Sequence, residues 1–216
     1  MAVGIGSDLV FVCAANVCRS PLMELTFAAR ATQNEPGWRV TSRGVDVRRE
    51  LPMCGVSRSL VDADSALQRR ASEHLSAPLM ADEIEAFDLI ITASRAERAA
   101  VARLAPAARA RTFTLLEATQ LSAGLTTASN GAVRQSGMDL AEFVALLDAQ
   151  RGSGQMSQVP LATGRSRRLL RGVSVDSLDL PDRHDLRGSR RHRQMLSAVL
   201  EVTTALHTQL SRCVQP

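Results

Sequence analysis

The stretch of sequence that decides the fold runs from Leu9 to Pro21 and reads LVFVCAANVCRSP. Its first residues, Leu9 to Val12, are apolar and mostly β-branched or aromatic, which indicates a buried strand. Ser20 followed by proline is typical of a helix start, because serine caps the first turn and proline tolerates the first helical position. We therefore expect a strand, a tight loop from Cys13 to Arg19, and then a helix.

The alternation of short apolar runs with helical patterns continues along the chain. Three more strands are predicted, over Trp38 to Val45, Phe87 to Thr92 and Thr112 to Leu116. One or two helices are predicted within 52–75, and others up to Leu104, over 140–150 and over about 189–210. Residues 122–139 and 151–172 are rich in small polar residues and glycine and are predicted to be loops. Strands that alternate with helices predict an α/β fold with a parallel sheet.

The composition is that of an ordinary globular domain. The chain has 216 residues, of which 45% are hydrophobic and 22% charged, so one domain is expected. No apolar run is long enough to span a bilayer, and the first residues do not resemble a signal peptide, which predicts a cytoplasmic protein. Every basic residue is an arginine, but aromatic residues make up only 3%. With so little material for base stacking, no nucleic-acid partner is expected.

The cysteines do not indicate a disulfide scaffold or a metal site. There are four of them, Cys13, Cys18, Cys54 and Cys213, which is too few for a disulfide framework in a chain of this length. No histidine lies at zinc-finger spacing from Cys13 and Cys18. The sequence therefore predicts free thiols, no metal ligands and no cofactor.

The loop from Cys13 to Arg19 has the features of a phosphate site beside a nucleophile. Backbone N–H groups of a short loop at a helix N-terminus can surround phosphate oxygens, and here they would belong to Ala14, Ala15, Asn16, Val17 and Cys18. Arg19 offers a planar, two-pronged contact to two such oxygens. The same positive surroundings favour the thiolate of Cys13, to which Ser20 can donate a hydrogen bond.

The residues VFVCAANVCRSP closely resemble the signature of low-molecular-weight protein-tyrosine phosphatases, in which C-x-G-N-x-C-R-S-P follows a strand. The resemblance implies that Cys13 is the nucleophile, Arg19 the phosphate clamp, Asn16 the loop-shaping residue and Ser20 the partner of the thiolate. It implies one three-layer α/β domain over 1–216, with a four-stranded parallel sheet, helices on both faces and an insertion at 122–172. It also implies hydrolysis of phosphate monoesters, first of all protein phosphotyrosine, through a phosphocysteine intermediate.

The general acid is expected late in the chain. The family places an aspartate in a D-P-aromatic motif before the last helix, and Asp182 follows a proline at the corresponding place. Asp182 is therefore expected to protonate the leaving group and then to activate water. Arg183 and His184 depart from the family motif, and Asp179 is the first reserve.

Two further features leave alternatives open. Ala15 replaces the family's loop glycine, which would cost roughly 1 kcal/mol if that position needs a positive φ. The pocket loops, about 45–53 and 182–186, contain no aromatic residue apart from His184, so the substrate is either a phosphorylated protein or a small phosphate ester. The alternatives are a catalytically weak phosphate-binding or interaction protein on the same fold, and an arsenate reductase. The latter needs a close cysteine pair, whereas Cys54 and Cys213 stand alone.

Overall fold

The fold is built on one parallel sheet of four strands. A computed structural model describes residues 7–31, 37–61, 63–128, 137–151, 179–180 and 189–214 of the chain. The strands have the order β2-β1-β3-β4, and all neighbouring pairs are parallel. They are β1 Ser7–Cys13, β2 Trp38–Gly44, β3 Leu89–Thr92 and β4 Thr112–Thr114. The predicted four-stranded parallel sheet is confirmed.

Helices alternate with the strands, and all of them except the one at Leu115–Ala128 lie where the sequence predicts a helix. They are α1 Arg19–Ala28, α2 Gly55–Arg58, α3 Ser65–Glu73, α4 Arg95–Leu104, α5 Leu115–Ala128, α6 Leu140–Gln150 and α7 Ser189–Cys213. Short 3₁₀ turns lie at Ile84–Ala86 and Pro106–Arg111. Helix α6 begins with a capping box in which Asp139 and Glu142 satisfy each other's backbone N–H groups, and this fixes the start of the helix where it was predicted.

The central strand β1 separates two apolar layers. Leu9 and Phe11 belong to one layer, together with buried residues of α1, α5, α6 and α7. Val10 and Val12 belong to the other, together with Val101 of α4. Successive side chains of a strand point to opposite faces, so β1 supplies both layers in alternation. Helices therefore cover both faces of the sheet, and the predicted three-layer architecture is confirmed.

Helix α5 overturns part of a predicted loop. The sequence predicts a loop over 122–139, but α5 continues through Ala128, and it begins at Leu115, which the sequence places in the fourth strand. Leu121 is buried and Leu125 packs against the same apolar layer. Burial of these leucines outweighs the low helix propensity of Gly124 and its polar neighbours.

The rest of the predicted insertion is only partly within the described residues. The predicted loop at 151–172 lies outside them except for Arg151. The assignment of a single domain to 1–216, with an insertion at 122–172, stays a prediction.

Helix α7 closes the apolar layer that contains Phe11. It packs against α1 and α5, and its residues Leu196, Val199 and Leu206 are fully buried. In the described ranges, neither α7 nor any other helix combines the length and the apolar character needed to cross a bilayer.

Candidate functional site

The loop from Cys13 to Arg19 lies at the carboxyl end of the central strand. Strand β1 pairs with β2 on one side and with β3 on the other. The chain leads from β1 to β2 on one side of the sheet and from β3 to β4 on the other. Open α/β sheets bind their ligands at the point where the strand order reverses in this way. The four side chains to which the sequence analysis gives roles, Cys13, Asn16, Arg19 and Ser20, are all buried here.

Asn16 holds the loop in its bent shape. It is the one non-glycine residue with a positive φ, 53°, in the described ranges, a conformation that asparagine tolerates. Its Nδ2 donates to the Oγ atoms of Ser20 and Ser42, both at 2.9 Å, and its Oδ1 accepts from the Ala77 N–H at 2.9 Å. These three hydrogen bonds support the loop-shaping role expected for Asn16.

Ala15 adopts ordinary backbone geometry. Among the described residues, positive φ angles occur only at Asn16, Gly37 and Gly137. The side chain of Ala15 is exposed. The alanine in place of the family's glycine therefore carries no left-handed strain here.

The Cys13 thiol has a hydroxyl partner. Its Sγ lies 3.1 Å from Ser20 Oγ, and either atom can donate. Since Asn16 donates to the same oxygen, the hydroxyl hydrogen of Ser20 is directed elsewhere. It can point to Cys13 Sγ or to the carbonyl oxygen of Arg43, which lies 3.2 Å away. A thiolate at Cys13 would attract this hydrogen.

Strand β2 ends directly against the loop, and Gly44 permits that approach. Gly44 pairs with Cys13 in the sheet, and the Asp46 N–H donates to the Ala14 carbonyl oxygen at 2.8 Å. A Cβ atom on Gly44 would lie 2.6 Å from that oxygen and 2.9 Å from the backbone nitrogen of Asn16. No side chain fits there without moving the loop.

Arg19 is buried and fixed by two partners. One terminal nitrogen of its guanidinium pairs with Glu97 Oε1 at 3.1 Å, and the other donates to the Leu180 carbonyl oxygen at 3.0 Å. The side chains of Arg19 and Glu97 are only 3% and 5% exposed. Glu97 lies in the first turn of α4, and its second carboxylate oxygen accepts a hydrogen bond from Ser94. The guanidinium therefore enters the site in a fixed orientation.

Glu97, and a second polar contact beneath the loop, were not predicted from the sequence. Ser42 accepts from Asn16 and donates to Glu24 Oε2 at 2.6 Å, and Glu24 also pairs with Arg70 at 2.6 Å. The only sequence signal for Glu97 is an acidic residue in the first turn of a helix that follows a buried strand. That signal is common, and it does not indicate which arginine is the partner.

Of the two candidate acids, only Asp179 is among the described residues; Asp182, with Arg183 and His184, lies outside them. Asp179 accepts from the Arg95 N–H at 2.6 Å and pairs with the Arg95 guanidinium at 3.1 Å. Burial raises the pKa of Asp179, but the Arg95 hydrogen bonds and the charges of Arg95 and Arg98 together hold it below its ordinary value. Asp179 is thus ionised near neutral pH, which is unfavourable for a proton donor.

No phenylalanine or tryptophan is available to pack against an aromatic ring of a substrate. All five phenylalanines are buried. Trp38, the only tryptophan, packs edge to face against Phe27, at the opposite end of β2 from Gly44. The chain has no tyrosine. Recognition of an aromatic leaving group would depend on other contacts.

Comparison with known proteins agrees with this geometry. The family model for "Low molecular weight phosphotyrosine protein phosphatase" matches residues 8–126. The chain is 30% identical, over 112 residues, to the protein-arginine-phosphatase of Bacillus subtilis (strain 168), and the match covers 51% of this chain and 71% of that protein.

Solved structures show the same fold. The structure of Vibrio vulnificus Wzb in complex with benzylphosphonate aligns with a TM-score of 0.55 and 17% identity, over 95% of this chain and 99% of that one. The tyrosine phosphatase Wzb from Escherichia coli K30, in complex with sulphate, aligns with a TM-score of 0.57 and 12% identity, again over 95% and 99%.

Proposed function

The chain belongs to the low molecular weight phosphotyrosine protein phosphatase family and is a cysteine-dependent phosphatase; from that premise we propose that it hydrolyses phosphate monoesters of protein side chains through a phosphocysteine at Cys13. One observation carries the choice of nucleophile. Cys13 Sγ lies at the carboxyl end of the central strand, 3.1 Å from Ser20 Oγ, inside the loop that ends at the buried Arg19.

In the first step, the Cys13 thiolate attacks the phosphorus atom. A sulfur–phosphorus bond forms, the bond from phosphorus to the side-chain oxygen breaks, and that oxygen takes a proton from the general acid. The loop N–H groups and Arg19 bind the other phosphate oxygens, whose charge they stabilise as the bonds change. The helix α1 begins at Arg19, so its positive end also faces the phosphate.

Asp182 is our choice for the general acid. Leu180, whose carbonyl oxygen accepts from Arg19, precedes Asp182 by two residues, and two residues of extended chain span at most about 7 Å. Asp179, the alternative acid, forms an ion pair with Arg95 and has a lowered pKa.

In the second step the Asp182 carboxylate takes a proton from water, the water oxygen attacks phosphorus, and the sulfur–phosphorus bond breaks. Ser20 then stabilises the departing thiolate.

Phosphotyrosine is the first candidate substrate. Phosphoarginine is the second; it is a phosphoramidate and not an ester, so the bond that would break joins phosphorus to a guanidinium nitrogen, and that nitrogen would take the proton. The family name supports phosphotyrosine. The similarity to a protein-arginine-phosphatase, and the burial of every phenylalanine, favour the second. The partner in either case is a phosphorylated protein. None of the four cysteines, all of them described, forms a disulfide, which supports the proposed location in the reducing cytoplasm.

The test compares two peptides of one sequence, one with phosphotyrosine and one with phosphoarginine, as substrates of the purified chain. We expect release of phosphate from at least one of them, with kcat/KM values that identify the substrate class. Cys13→Ser should lower kcat by roughly 10⁴–10⁶-fold while vanadate still binds, and Cys213→Ser, at the far end of α7, should leave both unchanged. Turnover that survives in Cys13→Ser would exclude the phosphocysteine.

A further inference from the structure

Three potential metal ligands from distant parts of the chain meet next to the phosphate loop. They are Cys18, the residue before α1, Cys54, the residue before α2, and His192 in the first turn of α7. Their ligand atoms all lie within 4.8 Å of one another. The spacing in sequence follows no zinc pattern, which is why the sequence analysis predicted no metal ligands. We propose that Cys18, Cys54 and His192 form a three-ligand zinc site.

The distances fit zinc coordination. In a tetrahedral site with Zn–S near 2.3 Å and Zn–N near 2.0 Å, two sulfurs lie about 3.8 Å apart and a sulfur and a nitrogen about 3.5 Å apart. Cys54 Sγ and His192 Nε2 are already 3.4 Å apart. The remaining pairs, at no more than 4.8 Å, need to close by at most a little over 1 Å to reach these separations, which small side-chain rotations supply.

The ligand chemistry and the charge also favour zinc. Thiolate and imidazole together select zinc over magnesium or calcium, which take oxygen ligands. Cys18 and His192 are only 6% and 7% exposed, so an ion between them must have its charge balanced locally. Two thiolates neutralise Zn²⁺, and the occupied site then adds no positive charge beside the buried Arg19.

The backbone around the site is already held in place. The Cys54 N–H donates to the Val17 carbonyl oxygen at 2.9 Å, and Ser57 Oγ donates to the Cys18 carbonyl oxygen at 3.1 Å. Helix α7 is attached to the same region, since Arg193 donates to Ser59 Oγ at 2.8 Å. The three ligands therefore lie on a prearranged frame, which lowers the entropic cost of metal binding.

An occupied site would connect the last helix to the loop that binds phosphate. Cys18 lies directly before Arg19, so zinc would restrain that end of the loop through His192 of α7. It would also occupy the Cys18 thiolate and so protect this cysteine from alkylation and oxidation. Zinc binding at these three ligands would be independent of which substrate the phosphatase hydrolyses.

The test uses the reduced, metal-free full chain, titrated with Zn²⁺ in competition with a chromophoric chelator. We expect one zinc ion per chain. Cys54→Ser and His192→Gln should each weaken binding by more than about 100-fold, since the loss of outer-shell partners alone costs 10–100-fold. Cys213→Ser is the matched control, because residue 213 is 21 positions beyond His192 on α7, or about 30 Å along the helix, and it should bind zinc like the wild type. Co²⁺ in place of zinc should give a sulfur-to-cobalt charge-transfer band that Cys54→Ser loses.

Three results would overturn the proposal: no zinc bound by the reduced wild type, unchanged affinity in both Cys54→Ser and His192→Gln, or loss of binding in Cys13→Ser alone. The last would place the metal on the proposed nucleophile instead. Circular dichroism melting without zinc checks that each variant is folded. Zinc should raise the melting temperature of the wild type and of Cys213→Ser, but not that of the half-buried Cys54→Ser. Zinc should also block iodoacetamide labelling of Cys18 in the wild type.

Discussion

Arg19 and Glu97 form an ion pair at 3.1 Å in the protein interior, with side chains only 3% and 5% exposed. The pair joins the loop after β1 to the helix after β3, across neighbouring strands of the sheet. A buried guanidinium has lost its contacts with water, so its charge is stabilised mainly by its carboxylate partner. Glu97 is thus a positioning residue for the proposed phosphate clamp.

Glu97→Gln should destabilise the protein and slow the reaction. Removal of one charge from a buried pair leaves the other uncompensated, which costs roughly 3 kcal/mol of unfolding free energy. A displaced Arg19 should lower kcat/KM by up to about 10²-fold. Urea denaturation and steady-state kinetics measure the two effects, with the exposed Glu85→Gln as control. Equal stability of the two variants would mean that Glu97 does not hold Arg19.

Gly44→Ala should damage the phosphate loop through steric conflict alone. Its new Cβ would lie 2.6 Å from the Ala14 carbonyl oxygen, so the loop must shift, and such overpacking costs typically 1–3 kcal/mol. We expect weaker vanadate binding as well as lower stability. Gly55→Ala is the matched control, since nothing lies within 4 Å of its new Cβ. If both variants bind vanadate like the wild type, close contact between β2 and the loop is not required.

Asp182→Asn should slow hydrolysis of phenyl phosphate by about 10²–10⁴-fold, as expected for loss of a general acid. An ester of a much more acidic phenol needs little protonation and should lose far less. Comparison of kcat for the two esters separates loss of the acid from loss of folding, which would depress both alike. Asp179→Asn should show no such dependence on the leaving group; if it does and Asp182→Asn does not, the acid is Asp179.

The contribution of Asp179 to stability should depend on pH. Its pKa in the folded protein lies below the ordinary value of 3.8, so the stabilisation is present above that value and is lost as the pH falls through the folded-state pKa. Asp179→Asn should therefore cost roughly 1 kcal/mol at pH 7, and the difference from the wild type should shrink below about pH 4. A difference that stays constant down to the acid transition would argue against the Arg95 pair as its source.

The sheet and the phosphate loop could be predicted because their signals are local. One continuous stretch of sequence contains strand β1, the loop and the start of α1. Its apolar pattern predicts the strand, and Ser20 and Pro21 predict the start of the helix. Helix α5 was missed because its stabilisation comes from burial of Leu121 and Leu125 against other helices, while its local composition favours a loop.

The remaining site contacts join residues far apart in the chain. Glu97 lies 78 positions from Arg19, and Cys54 lies 138 positions from His192. Periodicity and spacing carry no information on such pairs, since tertiary packing alone brings them together.

The hydrogen bond from Arg19 to the Leu180 carbonyl oxygen spans 161 positions of the chain, and this separation has a consequence for biosynthesis. Ribosomes add roughly 5–20 residues per second, so Leu180 is made on the order of 10 seconds after Arg19. During that interval β1, α1 and β2 can assemble, since their contacts are short in sequence, and the anion loop then exists without this acceptor. The nascent chain should therefore acquire the ability to hold an anion before it acquires Leu180, one of the two partners that fix Arg19, and phosphate in the surrounding solution would stabilise the early intermediate.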